Sequence, residues 1–275
     1  MPARYPERIV CLTEETTETL YLLGEERRIV GISGYTVRPP RARREKPRVS
    51  AFLSAKTGRI LELKPDLVLG FSDLQADIAR DLAKAGLNIM IFNQRSIDEI
   101  LSMILTLSSI VGASEKGSAL VSLLEAGLQS IREEARRFAR RPKVYFEEWD
   151  EPMISGIRWV SELIEIAGGE DVFAEQSRSQ AATGRIVSDP RIVVEKQPEV
   201  MLASWCGKKF RPERVVARAG WHEIPAVRDK QLYEIKSADI LQPGPAALTD
   251  GVRRMHEILR DFLSGGGRIR RPAGG

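Results

Sequence analysis

The chain has 275 residues, of which 43% are hydrophobic, so it can build one large core or two smaller ones and is not expected to be disordered. Its 42 basic and 38 acidic residues nearly balance, and the net charge of +4 is therefore weak evidence for a nucleic-acid role. Two cysteines, Cys11 and Cys206, are too few for a disulfide framework or a four-ligand metal site.

No stretch reaches the roughly 18 consecutive apolar residues of a membrane span, so no membrane insertion is expected. The N-terminus, MPARYPERIVCLTEE, also lacks the charged and then apolar pattern of a signal peptide. These features predict a cytoplasmic protein as given, or a periplasmic one if the true start lies upstream.

The first part of the chain, 1–113, alternates short apolar runs with helical patterns. The apolar runs predict strands at 8–12, 27–32, 65–70 and 87–92. Apolar residues at helical spacing predict helices at 13–23, 56–63, 72–85 and 96–111. This order predicts a parallel sheet flanked by helices. The arginine-rich stretch 37–49 is interpreted as a solvated loop, with an anion contact as the alternative.

One long amphipathic helix is predicted next. Apolar residues recur at spacings of three and four along 114–140, at Leu120, Leu124, Leu128, Ile131, Ala135 and Phe138. At ~1.5 Å per residue such a helix is about 40 Å long, enough to cross a small domain. We therefore expect 114–141 to form a rigid connecting segment.

The second part, 142–264, again alternates strands and helices. Strands are predicted at 143–149, 198–205 and 231–235, and helices at 159–167, 189–196, 211–217 and 245–263. The glycine-rich, basic end, 265–275, is predicted to be disordered. The predicted fold class is α/β: two lobes, each with a central mostly parallel sheet flanked by helices, joined by one long backbone helix.

A short pattern occurs once in each predicted lobe. Residues 60–71 read ILELKPDLVLGF and residues 193–205 read VVEKQPEVMLASW, each a helix end, a proline, an acid and a buried strand followed by an aromatic residue. Ligands of open parallel sheets lie beyond the carboxyl ends of the strands, and interfaces between lobes are favoured sites. The aromatic residues at such strand ends are Phe71, Trp149 and Trp205.

At this point the chain resembles a known family, the helical-backbone (class III) substrate-binding proteins of cobalamin and ferric-siderophore uptake. The resemblance covers nearly the whole chain and is carried by the order and spacing of six segments: RIVCLTEETTETLYLLGEERRIVGIS, RILELKPDLVLG, GLNIMIFNQRSIDEI, ISGIRWVSELIEIAGGEDVF, PEVMLASW and GWHEIPAVRDKQLYEI. It implies a non-catalytic protein with little hinge motion that holds a bulky chelate between aromatic residues. The cobalamin-binding members fit best, with ferric siderophore or haem as the alternative ligand and no intrinsic cofactor.

The resemblance and the strand ends together nominate ligand-binding residues. Phe52 and Phe71 match positions where cobalamin-binding members place aromatic side chains over the corrin ring, and Trp149 and Trp205 end strands of the second lobe. Each could instead cap a hydrophobic core. Arg185 is nominated because related proteins approach the ligand from this loop.

The segment WCGKKFRP, 205–212, adds basic candidates. Lys208, Lys209 and Arg211 crowd a loop after a buried strand, where they could neutralise a phosphate or carboxylate of the ligand. An ordinary basic surface loop is the alternative. The neighbouring Cys206 thiolate would suit a soft metal, but a lone cysteine is more often a small buried apolar group, and we expect no metal site.

Two departures from the family concern its transport partner. Members that dock on an ABC permease present one surface glutamate on each lobe, and the positions here are Gly58 and the neighbourhood of Leu241, where no acid stands. Together with the N-terminal pattern, these departures predict an intracellular corrinoid or chelate binder that works without the usual permease.

An enzyme is the alternative from another class. Four acids cluster around Trp149, and paired carboxylates can perform acid–base chemistry; they are Glu147, Glu148, Asp150 and Glu151. The chain has no glycine-rich phosphate loop, no G-x-S-x-G elbow and no H-E-x-x-H motif, so binding is preferred. His222 and His256 belong to no paired motif and are interpreted as structural.

Overall fold

The structure of the protein is a computed structural model that describes residues 5–52 and 54–265. It divides into two compact units. The first contains Met1–Ala126 and Gln242–Leu248, and the second contains Gly127–Leu241 and Thr249–Gly275. The predicted disordered end, 265–275, falls outside the described residues except for Gly265.

The first unit is built on a sheet of five parallel strands in the order β3-β2-β1-β4-β5. The strands are β1 (Ile9–Cys11), β2 (Ile29–Ser33), β3 (Arg48–Ser50), β4 (Leu67–Phe71) and β5 (Ile89–Phe92). Every residue of β1 and β4 is buried, as is typical of parallel strands covered on both faces. The sheet packs into a core that includes Val10, Leu12, Val49, Ile60, Val68 and Leu82.

Five helices accompany this sheet: α1 (Glu14–Leu22), α2 (Ala42–Glu45), α3 (Thr57–Glu62), α4 (Ala76–Lys84) and α5 (Ile97–Ile110). Short 3₁₀ turns lie at Glu26–Arg28 and Asp73–Gln75. The start of α5 is well specified, because the hydroxyl of Ser96 accepts the Glu99 N–H at 3.2 Å while the Glu99 carboxylate accepts the Arg95 N–H at 2.5 Å. The stretch 37–49, interpreted as a loop, contains α2 and leads into β3.

The long helix α6 spans Ser114–Ala135 and carries residues of both units. The prediction that it extends to 141 is wrong. Beyond Ala135 the chain turns, and the ring of Phe138 stacks on His256 with centroids 5.1 Å apart. Gly168 makes room for this ring, since a Cβ there would lie 2.6 Å from Phe138. Packing of Phe138 within the second unit therefore ends the helix earlier than its apolar spacing suggests.

The second unit has a five-stranded mixed sheet in the order β10-β9-β6-β7, with β8 also paired to β6. The strands are β6 (Lys143–Asp150), β7 (Met153–Ser155), β8 (Glu170–Asp171), β9 (Val200–Ala203) and β10 (Leu232–Glu234). All pairings are parallel except that of β6 with β7, a tight hairpin. The two sheets confirm the predicted α/β fold class; β7 and β8 were not predicted.

The helices of the second part of the chain are α7 (Arg158–Ala167), α8 (Ala174–Ser177), α9 (Arg191–Lys196), α10 (Pro212–Val216), α11 (Pro225–Arg228), α12 (Ser237–Ile240) and α13 (Val252–Leu263). 3₁₀ turns lie at Ala182–Arg185 and Trp221–Glu223, and a π-helical turn, Ala247–Gly251, precedes α13. Aromatic residues dominate the core around β6 and β9, among them Tyr145, Phe173, Trp205, Phe210 and Trp221. Across the described ranges, no helix is long and apolar enough to cross a membrane.

Candidate ligand-binding site

The carboxyl ends of β6 and β9 bring several predicted residues together in the second unit. The two strands pair in parallel, with Glu147 opposite Ala203, so their ends meet at one edge of the sheet. Trp149 lies near the end of β6 and is partly buried, whereas Trp205, two residues beyond β9, is only 2% exposed. Trp205 packs edge-on against Phe210, with centroids 5.1 Å apart, so its ring belongs to the core as well as to the strand end.

The fully buried carboxylate of Glu147 organises this edge of the sheet. It accepts hydrogen bonds from the Trp205 indole N–H at 3.0 Å, the Tyr145 hydroxyl at 2.9 Å and the Arg218 guanidinium at 2.6 and 2.9 Å. Burial, together with the adjacent Glu147 carboxylate, raises the pKa of Tyr145 well above its usual value, which keeps the phenol protonated as a donor. Trp205 is therefore fixed by a buried charge pair rather than by packing alone.

A second ion-paired group lies beside the first. The Asp150 carboxylate pairs with the Lys208 ammonium and with Arg214, whose guanidinium is 2.9 Å away. This pairing holds the Lys208 ammonium 4.0 Å from the centre of the Trp149 ring and 5.3 Å from that of Trp205. Both distances are within the range of cation–π attraction. Lys208 thus attaches the loop after β9 to β6 through the Asp150 carboxylate and the Trp149 indole ring.

Arg185 lies in the 3₁₀ turn Ala182–Arg185 and is 2% exposed. Its guanidinium donates to Glu148 at 2.5 and 3.3 Å and to the Ser155 carbonyl at 2.6 Å, which joins this turn to β6 and β7. The side chain is therefore engaged within the protein, and its predicted ligand contact stays a prediction.

The acids proposed for the enzyme alternative are all ion-paired. Glu147 pairs with Arg218, Glu148 with Arg185, and Asp150 and Glu151 with Arg214. Their neighbours therefore give these carboxylates a structural role in joining the loops to β6.

The other predicted residues of the second unit lie toward solvent. Lys209 and Arg211 are exposed, as is Cys206. Although Cys206 is exposed as a residue, partial desolvation of its thiol and the nearby Glu148 carboxylate raise the pKa of Cys206 and so disfavour the thiolate that a metal would need. Over the two ranges that the structure describes, no three His, Cys, Asp or Glu residues are grouped so as to hold a metal ion.

In the first unit, Phe71 ends β4 and is 8% exposed. The guanidinium of Arg95 lies 4.8 Å from the centre of its ring. The Gln75 side chain accepts the Phe71 N–H at 3.0 Å and donates to the Phe52 carbonyl at 2.9 Å. One amide thus brings the two predicted aromatic residues of this unit together.

Comparison with known proteins places the chain in a family. The profile described as periplasmic binding protein matches residues 9–238. The chain belongs to the periplasmic binding protein family. The family consists of substrate-binding proteins, which supports binding rather than catalysis.

Curated and solved relatives agree with this membership. The chain is 28% identical to the vitamin B12-binding protein of Vibrio cholerae serotype O1, over 92% of this chain and 89% of that protein. It is 24% identical to the uncharacterized ABC transporter substrate-binding lipoprotein YvrC of Bacillus subtilis, over 92% and 80%. The periplasmic heme-binding protein RhuT of Roseiflexus sp. RS-1 has the same fold, with a TM-score of 0.77, 24% identity and coverage of 92% of this chain and 99% of that one.

Within this periplasmic binding protein, sequence reasoning missed the cations that fix the aromatic residues. Arg214 and Arg218 are four residues apart around the end of α10 and reach two different acids of β6. Their spacing, close to one helical turn, was the available signal. Gln75 and Arg95 were also missed, because a glutamine and an arginine near strand ends are not distinctive in sequence alone.

Proposed function

We propose that this periplasmic binding protein binds a corrinoid, or a metal chelate of similar size and shape, through the aromatic residues at its strand ends. The 28% identity to a vitamin B12-binding protein over most of both chains supports this ligand class. The observation that carries the proposal is the partly buried indole of Trp149 with the Lys208 ammonium held 4.0 Å from its ring centre.

An indole beside an ammonium offers a flat apolar surface and hydrogen-bond donors at one place. A corrinoid presents the matching groups, because its flat macrocycle is surrounded by amide carbonyls. Trp205 and the Glu147 network beneath this surface keep it in one arrangement before the ligand arrives, which lowers the cost of ordering the site on binding. Phe52 and Phe71 are the corresponding candidates of the first unit.

The first test is a titration of the full chain with cyanocobalamin, followed by tryptophan quenching and the corrin absorption bands. Wild-type protein is expected to bind saturably, with micromolar or tighter affinity. Trp149→Ala is expected to weaken binding at least about fivefold, as truncation of an aromatic anchor does, and Trp149→Phe less. Trp205→Ala is a poor first variant, because it would open a cavity and leave the buried Glu147 without one of its donors.

Glu223→Gln, an exposed change away from these rings, serves as the matched control. A wild-type protein that binds no corrinoid would contradict the corrinoid proposal, and haem and ferric-siderophore titrations would then test the alternatives. If wild type and Trp149→Ala bind equally well, the site has been assigned to the wrong residues.

Two onward steps are proposed: a relative named as a transporter component favours delivery of the ligand to an ABC permease, whereas the sequence pattern at Gly58 and Leu241 favours a different partner. Gly58 stands where permease-docking members present a glutamate, and the structure has space for one, because nothing lies within 4 Å of a Cβ at this position. A Gly58→Glu variant would therefore restore the family's group without disturbing α3. If only the variant binds a permease of this family, the natural chain works with a different partner.

A further inference from the structure

We propose that a pocket at the carboxyl ends of β9 and β10 binds an anionic group of the ligand, a phosphate or a carboxylate. The pocket has a volume of ≈ 260 Å³. Its polar lining residues are Ser204, Lys208, Lys209, Glu234, Lys236 and Ser237. This inference adds an anion subsite to the proposed function. It rests on that function only for the identity of the ligand that carries the anionic group.

The size of the pocket indicates a substituent rather than a whole chelate. Pockets that enclose a drug-sized ligand measure about 300–1,000 Å³, and this one is smaller. Trp205 and Lys208 line the pocket and also belong to the aromatic surface around Trp149. A molecule lying against that surface could therefore place one of its groups in the pocket.

The charge of the lining selects for an anion. Three lysines and one acid, Glu234, line the pocket. Lys208 is balanced by Asp150, whereas Lys209 and Lys236 form no ion pair within the part of the chain that the structure describes. After Asp150 and Glu234 are set against the three lysines, one positive charge remains in excess, which raises the local concentration of anions and favours charge-assisted hydrogen bonds to them.

The lining of the pocket includes a buried hydroxyl, that of Ser204. Ser204 is 1% exposed, and its backbone N–H donates to the Glu147 carbonyl at 3.0 Å, which fixes its position. Its Oγ has no hydrogen-bond partner among the described residues. Buried hydroxyl groups are nearly always hydrogen-bonded, so this one lacks an acceptor that a bound anion could supply directly or through a water.

Glu234 reduces the positive charge of the pocket without removing it. Its Oε1 accepts the Phe210 N–H at 3.1 Å, so part of its role is to hold the loop that carries Lys208 and Lys209. Its charge nevertheless opposes an incoming anion. Neutralising Glu234 should therefore strengthen anion binding, whereas neutralising the lysines should weaken it.

The first experiment uses inorganic phosphate with the full chain, by calorimetry at one fixed ionic strength, because exposed charges are screened by salt. Wild type is expected to bind phosphate saturably. The double variant Lys209→Gln/Lys236→Gln should bind it about two- to tenfold more weakly, and Glu234→Gln should bind it more tightly. The control Lys143→Gln/Lys230→Gln removes the same charge from two exposed positions that do not line the pocket. Equal losses in the two double variants, or no phosphate binding by wild type, would overturn the proposal.

The second experiment separates the two anions and compares cyanocobalamin with dicyanocobinamide, which lacks the phosphodiester. If the pocket takes the phosphate, wild type prefers cobalamin, and the preference disappears in Lys209→Gln/Lys236→Gln. If the pocket takes a carboxylate, the double variant binds haem more weakly than wild type does. Its affinity for cyanocobalamin relative to dicyanocobinamide then stays the same as in wild type. If the variant changes neither binding, the pocket plays no part in ligand recognition and the proposal fails. A chain that binds no chelate but still binds phosphate through these lysines would refute the proposed function while upholding the anion pocket.

Discussion

Strand β4 of the first unit and strand β9 of the second begin in the same way. Before each strand, a residue with positive φ follows a helix within two residues of its end, Lys64 at 46° after α3 and Gln197 at 48° after α9, and a proline and an acid come next. Asp66 accepts the N–H groups of Glu7 and Arg8 at 2.7 and 3.0 Å, just before β1. In the second unit the equivalent acid, Glu199, accepts the N–H of Lys143 at 3.0 Å, at the start of β6.

The same two strands end differently. Beyond β4, the neutral amide of Gln75 holds the backbone of Phe71. Beyond β9, the buried carboxylate of Glu147 holds the indole of Trp205 and is balanced by Arg218. The shared beginning belongs to the scaffold, since it joins each strand to its neighbour. The differing ends carry the candidate ligand-binding residues of the two units, and the buried charge makes the second end more costly to disturb.

The largest expected effect comes from removing that charge. Glu147→Gln leaves the Arg218 guanidinium, whose side chain is 16% exposed, without its counter-ion. Breaking a buried ion pair in this way costs about 3–5 kcal/mol of unfolding free energy. Urea unfolding, followed by the tryptophan signal, measures it. The control Glu151→Gln alters a carboxylate whose side chain is 82% exposed and should change stability by less than about 0.5 kcal/mol. A loss below about 1 kcal/mol for Glu147→Gln would mean that Trp205 is held mainly by packing.

The first unit also buries two acids that form no ion pair within the part of the chain that the structure describes, in contrast to its ion-paired Glu18 and Glu25. Glu14 and Glu15 lie in the first turn of α1, and both are almost fully buried. Gly244 packs closely against Glu15, as a Cβ at Gly244 would lie 2.5 Å from that of Glu15. Burial raises the pKa of Glu14 to about 8 and that of Glu15 to about 7, and repulsion from Glu18 adds to both shifts.

These raised pKa values predict that the protein becomes less stable as the pH rises. Between pH 4.5 and about 7 or 8 the folded chain keeps protons that the unfolded chain has released, so unfolding free energy falls with increasing pH. At about 1.4 kcal/mol per pKa unit, the loss from Glu15 is on the order of 3 kcal/mol by pH 8. Urea unfolding from pH 5 to 8.5 measures the slope.

Glu15→Gln mimics the protonated acid, so it should match wild type at pH 5 and exceed it at pH 8. The exposed Glu62→Gln serves as the control. If wild type and Glu15→Gln lose stability in parallel as the pH rises, Glu15 is not a source of the pH dependence.

The secondary-structure elements that can be predicted best from the sequence are those whose signals lie within a few neighbouring residues. A proline, an acid and an apolar run are enough to predict β4 and β9, because all three signals lie within a few residues. The end of α6 depends instead on Phe138 stacking on His256, more than a hundred residues away in the chain. No local pattern contains that contact.

The candidate site also depends on contacts between residues that are distant in the chain. The sequence placed Trp149 and Trp205 at strand ends and Lys208 in the loop that follows, and the structure brings the three side chains together. It could not indicate that Trp205 would be almost fully buried, because its partner Glu147 lies 58 residues earlier. Whether a strand-end aromatic faces ligand or core depends on such distant partners.

The smallest expected effects test the shared beginning of the two strands. Asp66→Asn and Glu199→Gln each replace a carboxylate that accepts a backbone N–H with an amide that has only one acceptor oxygen, and each should cost about 1–2 kcal/mol. If the two acids are equivalent parts of the scaffold, the costs agree within about 0.5 kcal/mol, and hydrogen exchange quickens at Arg8 in one variant and at Lys143 in the other.

Asp77→Asn, at a surface carboxylate with 84% of its side chain exposed, gives the change in unfolding free energy expected from replacing an exposed acid. Glu199 also pairs with Arg140 at 2.7 Å, so an Arg140→Gln variant shows how much of its cost belongs to that pair. Glu199→Gln could still lose clearly more unfolding free energy than Asp66→Asn when both are compared in the Arg140→Gln background. The repeated sequence pattern would then contribute differently to the stability of the two units.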